Sequence, residues 1–157
     1  MKTKIIKNMT FNEYKQEVEK ENGECQILHS VCDHNEKNCG KTSDRNAPKN
    51  VSWIDYWRAM TENYSNTLVC SSCGKVIIVG EPTDDQKKEF SKGDDTIEKH
   101  KAHGGHIWIK TPSDKSYIGG RYITPLCPHC NGQHDKEIPV QKGAVYCKEL
   151  GATREDD

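Results

Sequence analysis

Cys70-Ser-Ser-Cys73-Gly74, His103-Gly-Gly-His106 and Cys127-Pro-His-Cys130 decide how this chain is read. Each Cys-x-x-Cys presents two thiolates from one tight loop, at a separation that suits a tetrahedral ion of zinc size. Cys70 and Cys73 together with Cys127 and Cys130 complete a shell of four thiolates. Such a shell leaves no open coordination position, the pattern of a structural zinc rather than a catalytic one. Redox-active dithiols, the competing reading, want a thioredoxin-like βαβ setting that this pattern lacks. Gly74 directly after the first pair fits the left-handed backbone of a knuckle turn.

Working outward, Thr67-Leu-Val-Cys70 leads into the knuckle and Lys75-Val-Ile-Ile-Val-Gly80 leaves it as a β-branched strand. His106-Ile-Trp-Ile-Lys110 and Tyr117–Thr124 alternate like two strands, with Thr111–Ser116 as the turn between them. That hairpin runs through Tyr122-Ile-Thr-Pro-Leu126 into Cys127, and Asn131-Gly-Gln-His134 continues a short helix. A knuckle, a hairpin and a helix sharing one ion describe a treble clef. The expected fold class is therefore α+β, a small zinc-stabilised treble-clef or ββα-metal core with N-terminal helices.

Composition agrees with a metal staple. The chain has 157 residues, only 32% of them hydrophobic and 30% charged, and a mean hydropathy of -0.94. A core that thin leaves part of the folding free energy to a bound ion. No apolar run follows the charged start Met1-Lys-Thr-Lys-Ile-Ile-Lys7 and none approaches a membrane span, so the eight cysteines are expected to be reduced in the cytoplasm. The formal net charge of -1 lacks the positive excess of a protein that holds nucleic acid mainly through phosphates.

Two helices precede the knuckle. Thr10 and Glu13 have capping-box spacing, Phe11, Tyr14 and Val18 share a face, and Asn22-Gly23 ends that helix. Ser52 opens the second, whose Trp53, Ile54, Trp57, Met60 and Tyr64 read as core, since base stacking needs exposed rings. Between them stand Cys25, His29, Cys32, His34 and Cys39, for which two readings remain open. They either draw a second zinc, as short Cys/His-rich tracts do, or they are buried thiols and surface histidines. Residues 40–50 read as a polar linker, so residues 1–50 form an N-terminal segment and 51–157 the zinc-stabilised domain. Residues 81–101 read as a solvated charged insertion with a short helix near Gln86–Phe90, and Asp84-Asp85 and Asp94-Asp95 as loop charge rather than cation ligands. Ala144–Cys147 reads as a packing strand with Cys147 a plain buried thiol, and Thr153–Asp157 as a frayed end.

Over residues 67–135 these motifs resemble the zinc-stapled branch of the HNH, or ββα-metal, nucleases. The resemblance implies a nuclease on DNA or RNA in which His106 is the general base, with His103, Asn131 and His134 around a catalytic magnesium or manganese ion. It also shows departures. Gly105 stands where an adjacent metal ligand is expected, and Tyr122 where a bracing asparagine is expected. The alternative is a non-catalytic zinc module that binds a protein, for instance as an inhibitor of a nucleic-acid enzyme, or binds nucleic acid.

Overall fold

The computed structural model describes residues 4–6, 8–39, 45–110, 119–151 and 153–154. In chain order the strands β1 (Lys4–Ile6) and β2 (Met9–Thr10) precede helix α1 (Phe11–Asn22), then come β3 (Ile27–His29), β4 (His34–Asn38) and β5 (Arg45–Asn46). Helix α2 (Trp53–Thr61) follows, then β6 (Thr67–Val69), β7 (Val76–Ile78), α3 (Asp84–Glu89) and β8 (His103–Trp108). The chain ends with β9 (Tyr122–Leu126), α4 (Pro128–Asn131), β10 (Glu137–Val140), β11 (Val145–Lys148) and β12 (Thr153–Arg154).

Both N-terminal helices form for the reasons their sequences suggest. In α1 the Glu13 amide donates to the Thr10 hydroxyl at 3.1 Å and the Thr10 amide to the Glu13 carboxylate at 2.9 Å, a complete capping box. Gly23, at φ +88°, turns the chain out of the helix. Ser52 caps α2 by accepting the Asp55 amide. Trp53, Ile54, Tyr56, Trp57 and Met60 are all buried, each worth about 1.5–3 kcal/mol of transfer free energy. The polar tips are anchored as well: Trp57 Nε1 donates to the Val145 carbonyl at 2.9 Å and the Tyr56 hydroxyl to that of Lys148 at 2.5 Å.

One antiparallel six-stranded sheet organises the rest, in the order β10-β4-β8-β9-β11-β3. Strands from both sides of residue 50 share it, since β4 pairs with β8 and β10 while β3 pairs with β11. The sheet curls, so that Val140 from one edge strand joins Ile107, Tyr122 and Tyr146 in one apolar cluster. On the other face α1 and α2 pack against Ile123 and Cys147. The reading of residues 1–50 as a helix and a Cys/His-rich segment did not include β4, whose sequence His-Asn-Glu-Lys-Asn carries no apolar alternation. Its inward side chains, Glu36 and Asn38, are polar and are buried because they are hydrogen-bonded.

Several boundaries shift. The hairpin strand starts at His103 rather than His106, and its turn at 111–116, with Tyr117 and Ile118, lies outside the described residues. The insertion's helix runs from Asp84 to Glu89, capped by Thr83 and Gln86. The insertion is fastened where His100 bridges the Val76 carbonyl and Asp95, both at 2.7 Å. Thr153–Arg154 pairs with Arg45–Asn46 instead of fraying, and residues 155–157 lie outside the described residues. Among the described residues no helix is long and apolar enough to cross a membrane.

Candidate metal centre

The β6–β7 hairpin builds the first half of the centre. The Cys70 amide donates to the Lys75 carbonyl at 2.8 Å and the Gly74 amide to that of Cys70 at 3.0 Å. Gly74 sits at φ +79°, and a Cβ there would also meet the Gln141 side chain at 2.7 Å. The knuckle is docked on the sheet through Ser71. Its amide donates to the Pro125 carbonyl at 2.9 Å, its carbonyl accepts the Gln141 amide at 2.8 Å, and its hydroxyl meets that of Thr124 at 2.5 Å.

The second half is the start of α4. Cys127 is the N-cap, Pro128 occupies the first turn where a missing N–H costs nothing, and the Asn131 amide closes the turn on the Cys127 carbonyl at 2.9 Å. This is the strand-to-helix delivery that the sequence suggests. The Sγ atoms of Cys70, Cys73, Cys127 and Cys130 all lie within 4.8 Å of one another, and those of Cys73 and Cys127 are 3.7 Å apart. A tetrahedron of thiolates around zinc has edges of about 3.8 Å. The donor set and its geometry therefore fit a structural zinc.

The polar surroundings suit that role. Burial pushes the Cys70 and Cys130 thiols up, although Cys70 accepts backbone hydrogen bonds from Cys73, Cys127 and Ser72, and Cys130 accepts one from the Ser72 hydroxyl. Burial also raises Cys127, but hydrogen bonds from the Cys130 amide and the neighbouring thiols outweigh it and leave that thiol below its ordinary value. A bound cation would hold all four as thiolates, and these donors would share the charge.

A residue the sequence reading missed braces the helix from behind. Asn38 on β4, buried, directs Nδ2 at the carbonyls of Cys130, Asn131 and Gln133, at 3.1, 3.3 and 2.9 Å. Two hydrogens are thus shared among three carbonyls at the open end of a one-turn helix. No local signal marks Asn38, because its partners lie more than ninety residues away along the chain.

The residues that the resemblance places around a second, catalytic ion are distributed differently. Residues two apart on a strand share a face. His106 points with Gly104 toward α2. Its ring packs edge-on against Trp53 at 4.9 Å, and Nε2 lies 3.1 Å from the Glu149 carboxylate, which Arg121 also holds at 2.8 Å. Burial raises Glu149, but His106 and Arg121 outweigh it and hold its carboxyl below the ordinary range. Gly105 faces the other way. A Cβ there would fall 2.3 Å from Leu126 Cδ1 and 3.2 Å from Asn131 Oδ1, whereas one on Gly104 would fall 2.5 Å from the Trp53 carbonyl carbon. The Gly-Gly pair therefore admits α2 on one face of β8 and α4 on the other. His103, half-buried, shares the α4 face, and burial with nearby Lys101 pushes its pKa down. His134 is exposed in the turn after α4, which ends at Asn131, so it is not one helical turn further along that helix. Tyr122 lies in the sheet interior, donating to Gln26 Oε1 at 2.6 Å.

The Cys25–Cys39 tract does not close on an ion. Cys25 turns into the core beside Cys147, with its Sγ 3.3 Å from the Lys148 carbonyl. His34 Nε2 meets buried Glu36 at 2.8 Å, while His29 and Cys32 are exposed. Cys39 is buried, which pushes its thiol up to about 11. Among the described residues, the four cysteines are the one group of three or more His, Cys, Asp or Glu whose donor atoms converge.

Fold and site thus define a mixed α+β protein with a curled antiparallel sheet and a four-cysteine centre suited to a structural metal. Compared with protein-family models the chain matches none, and neither curated proteins nor solved structures give a match.

Proposed function

We propose that the chain is a non-catalytic, zinc-stapled module that recognises a protein partner, with an HNH-like, treble-clef arrangement of knuckle, hairpin and helix serving as scaffold. The observation that carries this reading is the orientation of His106. A general base must reach a water held beside the metal-bound phosphate. The His106 ring instead lies on the α2 face of β8, against Trp53 and Glu149, away from Asn131. Four thiolates leave their ion no position for water or phosphate. The formal charge of -1 favours a protein over a nucleic acid as the partner.

The test is cleavage of plasmid DNA and of RNA by the zinc-loaded full chain with magnesium, manganese or nickel, beside His106→Ala. The expected result is a single zinc per chain and no cleavage by either protein. Cleavage that disappears in His106→Ala with zinc content unchanged would replace the binding module by a phosphodiesterase. In that enzyme His106 would be the base, with His103, Asn131 and His134 near its divalent ion.

A further inference from the structure

The four thiols of the centre are not equivalent. Cys70, Cys127 and Cys130 are buried, whereas Cys73 is exposed at the knuckle tip. Across the junction Cys73 Sγ lies 3.7 Å from Cys127 Sγ, and these two residues are 54 positions apart in sequence. The knuckle is also docked without the ion, through Ser71 to Pro125, Thr124 and Gln141.

From this asymmetry we infer that Cys73 is an oxidation site, and that a peroxide converts the zinc clamp into a Cys73–Cys127 disulfide across the same junction. The inference rests on the zinc reading above. In the first step the Cys73 thiolate attacks the peroxide, the O–O bond breaks, and Cys73 becomes a sulfenic acid while hydroxide leaves and is protonated to water. The Cys127 thiolate then attacks the Cys73 sulfur, forming the S–S bond and expelling a second hydroxide, also protonated to water. Two thiolates lose one electron each, and the peroxide takes both. The ion, left with Cys70 and Cys130, is released.

The choice of partner gives this chemistry its consequence. A Cys70–Cys73 or Cys127–Cys130 bond would stay within one loop and leave the two halves of the centre unlinked. A Cys73–Cys127 bond crosses between them, so zinc leaves while β6, β7 and α4 stay in place. Removing zinc by chelation under reducing conditions would instead leave the junction without any covalent or ionic clamp. Oxidation and chelation both empty the centre, yet they produce different proteins.

The experiment treats the zinc-loaded full chain with hydrogen peroxide, follows zinc release with a chromophoric chelator, maps disulfides in unreduced peptides, and measures amide exchange of β6 and β7. The expected result is one zinc released per Cys73–Cys127 bond. Exchange should stay within about threefold of the zinc-loaded protein, against a rise of about tenfold or more after chelation under reducing conditions. Cys73→His, which keeps a zinc ligand but no oxidisable sulfur, should release zinc far more slowly. A bond within either Cys-x-x-Cys, or undiminished release from a zinc-holding Cys73→His, would overturn the inference. Disulfide mapping on the wild type decides the matter even where that variant holds no metal. Failure of the zinc reading itself would appear separately, as untreated protein without stoichiometric zinc.

Discussion

Two regions of this chain are rich in cysteine and histidine, and only one of them brings its donor atoms together. Residues 70–130 bring four sulfurs within 4.8 Å. Residues 25–39 carry three cysteines and two histidines in a far shorter span, yet they send those side chains to the core, to Glu36 and to solvent. The difference lies in backbone geometry. A Cys-x-x-Cys knuckle or helix start turns both side chains to one side, and the sheet presses the two loops together. The N-terminal tract instead runs through β3 and β4, which occupy the sixth and second places in the sheet, and only His29 and His34 of its five ligand residues stand on those strands, with no paired turn to aim the others at one point. Local density of ligand residues is a weaker sign of a metal than paired spacing on turns.

The largest effect should come from breaking the region that closes. Cys70→Ser is expected to abolish stoichiometric zinc and lower stability by more than about 4 kcal/mol, a fall in melting temperature of about 10 °C or more. Metal analysis and a thermal melt check this. A variant that melts with the wild type would mean that the sheet and α2 hold the fold unaided.

Next in size is Asn38, which ties the two regions together. It stands on the tract's own strand yet secures α4 through three carbonyls. Asn38→Ala leaves those buried acceptors without a donor and should cost about 2–4 kcal/mol in a urea titration. Zinc affinity should weaken about tenfold or more. Asn38→Asp, of the same shape but directing an oxygen at the carbonyls, should be no better. If it restored the wild-type midpoint, Asn38 would act by shape alone.

What could be read in the sequence follows the range of the interactions involved. Both N-terminal helices, the knuckle, Cys127 at a helix start and the buried stripe of α2 are written in spacings of three or four residues. The strand β4, the curl of the sheet and Asn38 depend on partners seventy to a hundred residues away, and no window of sequence contains them. His106 shows the same limit in a finer form. Its position relative to the cysteine pairs suggested catalysis, but the face it occupies depends on where α2 and Glu149 pack.

The far end of the tract supplies a smaller effect. The Cys39 amide donates to the His106 carbonyl at 2.9 Å, beside the contact of His106 with Glu149. Because the folded protein holds the Glu149 carboxyl below its ordinary value of 4.5, its stabilisation is fully present above that value and is lost as pH falls through the depressed one. Between about pH 5 and 3 the wild type should lose more stability than Glu149→Gln. Urea midpoints at the two pH values check this, and parallel curves would mean that the pair contributes nothing net.

The smallest effect should come from the tract's exposed members. His29 and Cys32 face solvent, so neither loses packing on truncation. The double variant His29→Ala, Cys32→Ser should keep the zinc content of the wild type and its stability within about 0.5 kcal/mol. A tract that bound a second ion would respond in the opposite way, losing one equivalent of metal when two of its donors are removed. Metal analysis of this variant beside Cys70→Ser therefore assigns every bound zinc to one region or the other. Two equivalents in the wild type falling to one in the double variant would require His29 and Cys32 to swing inward in the metal-loaded protein.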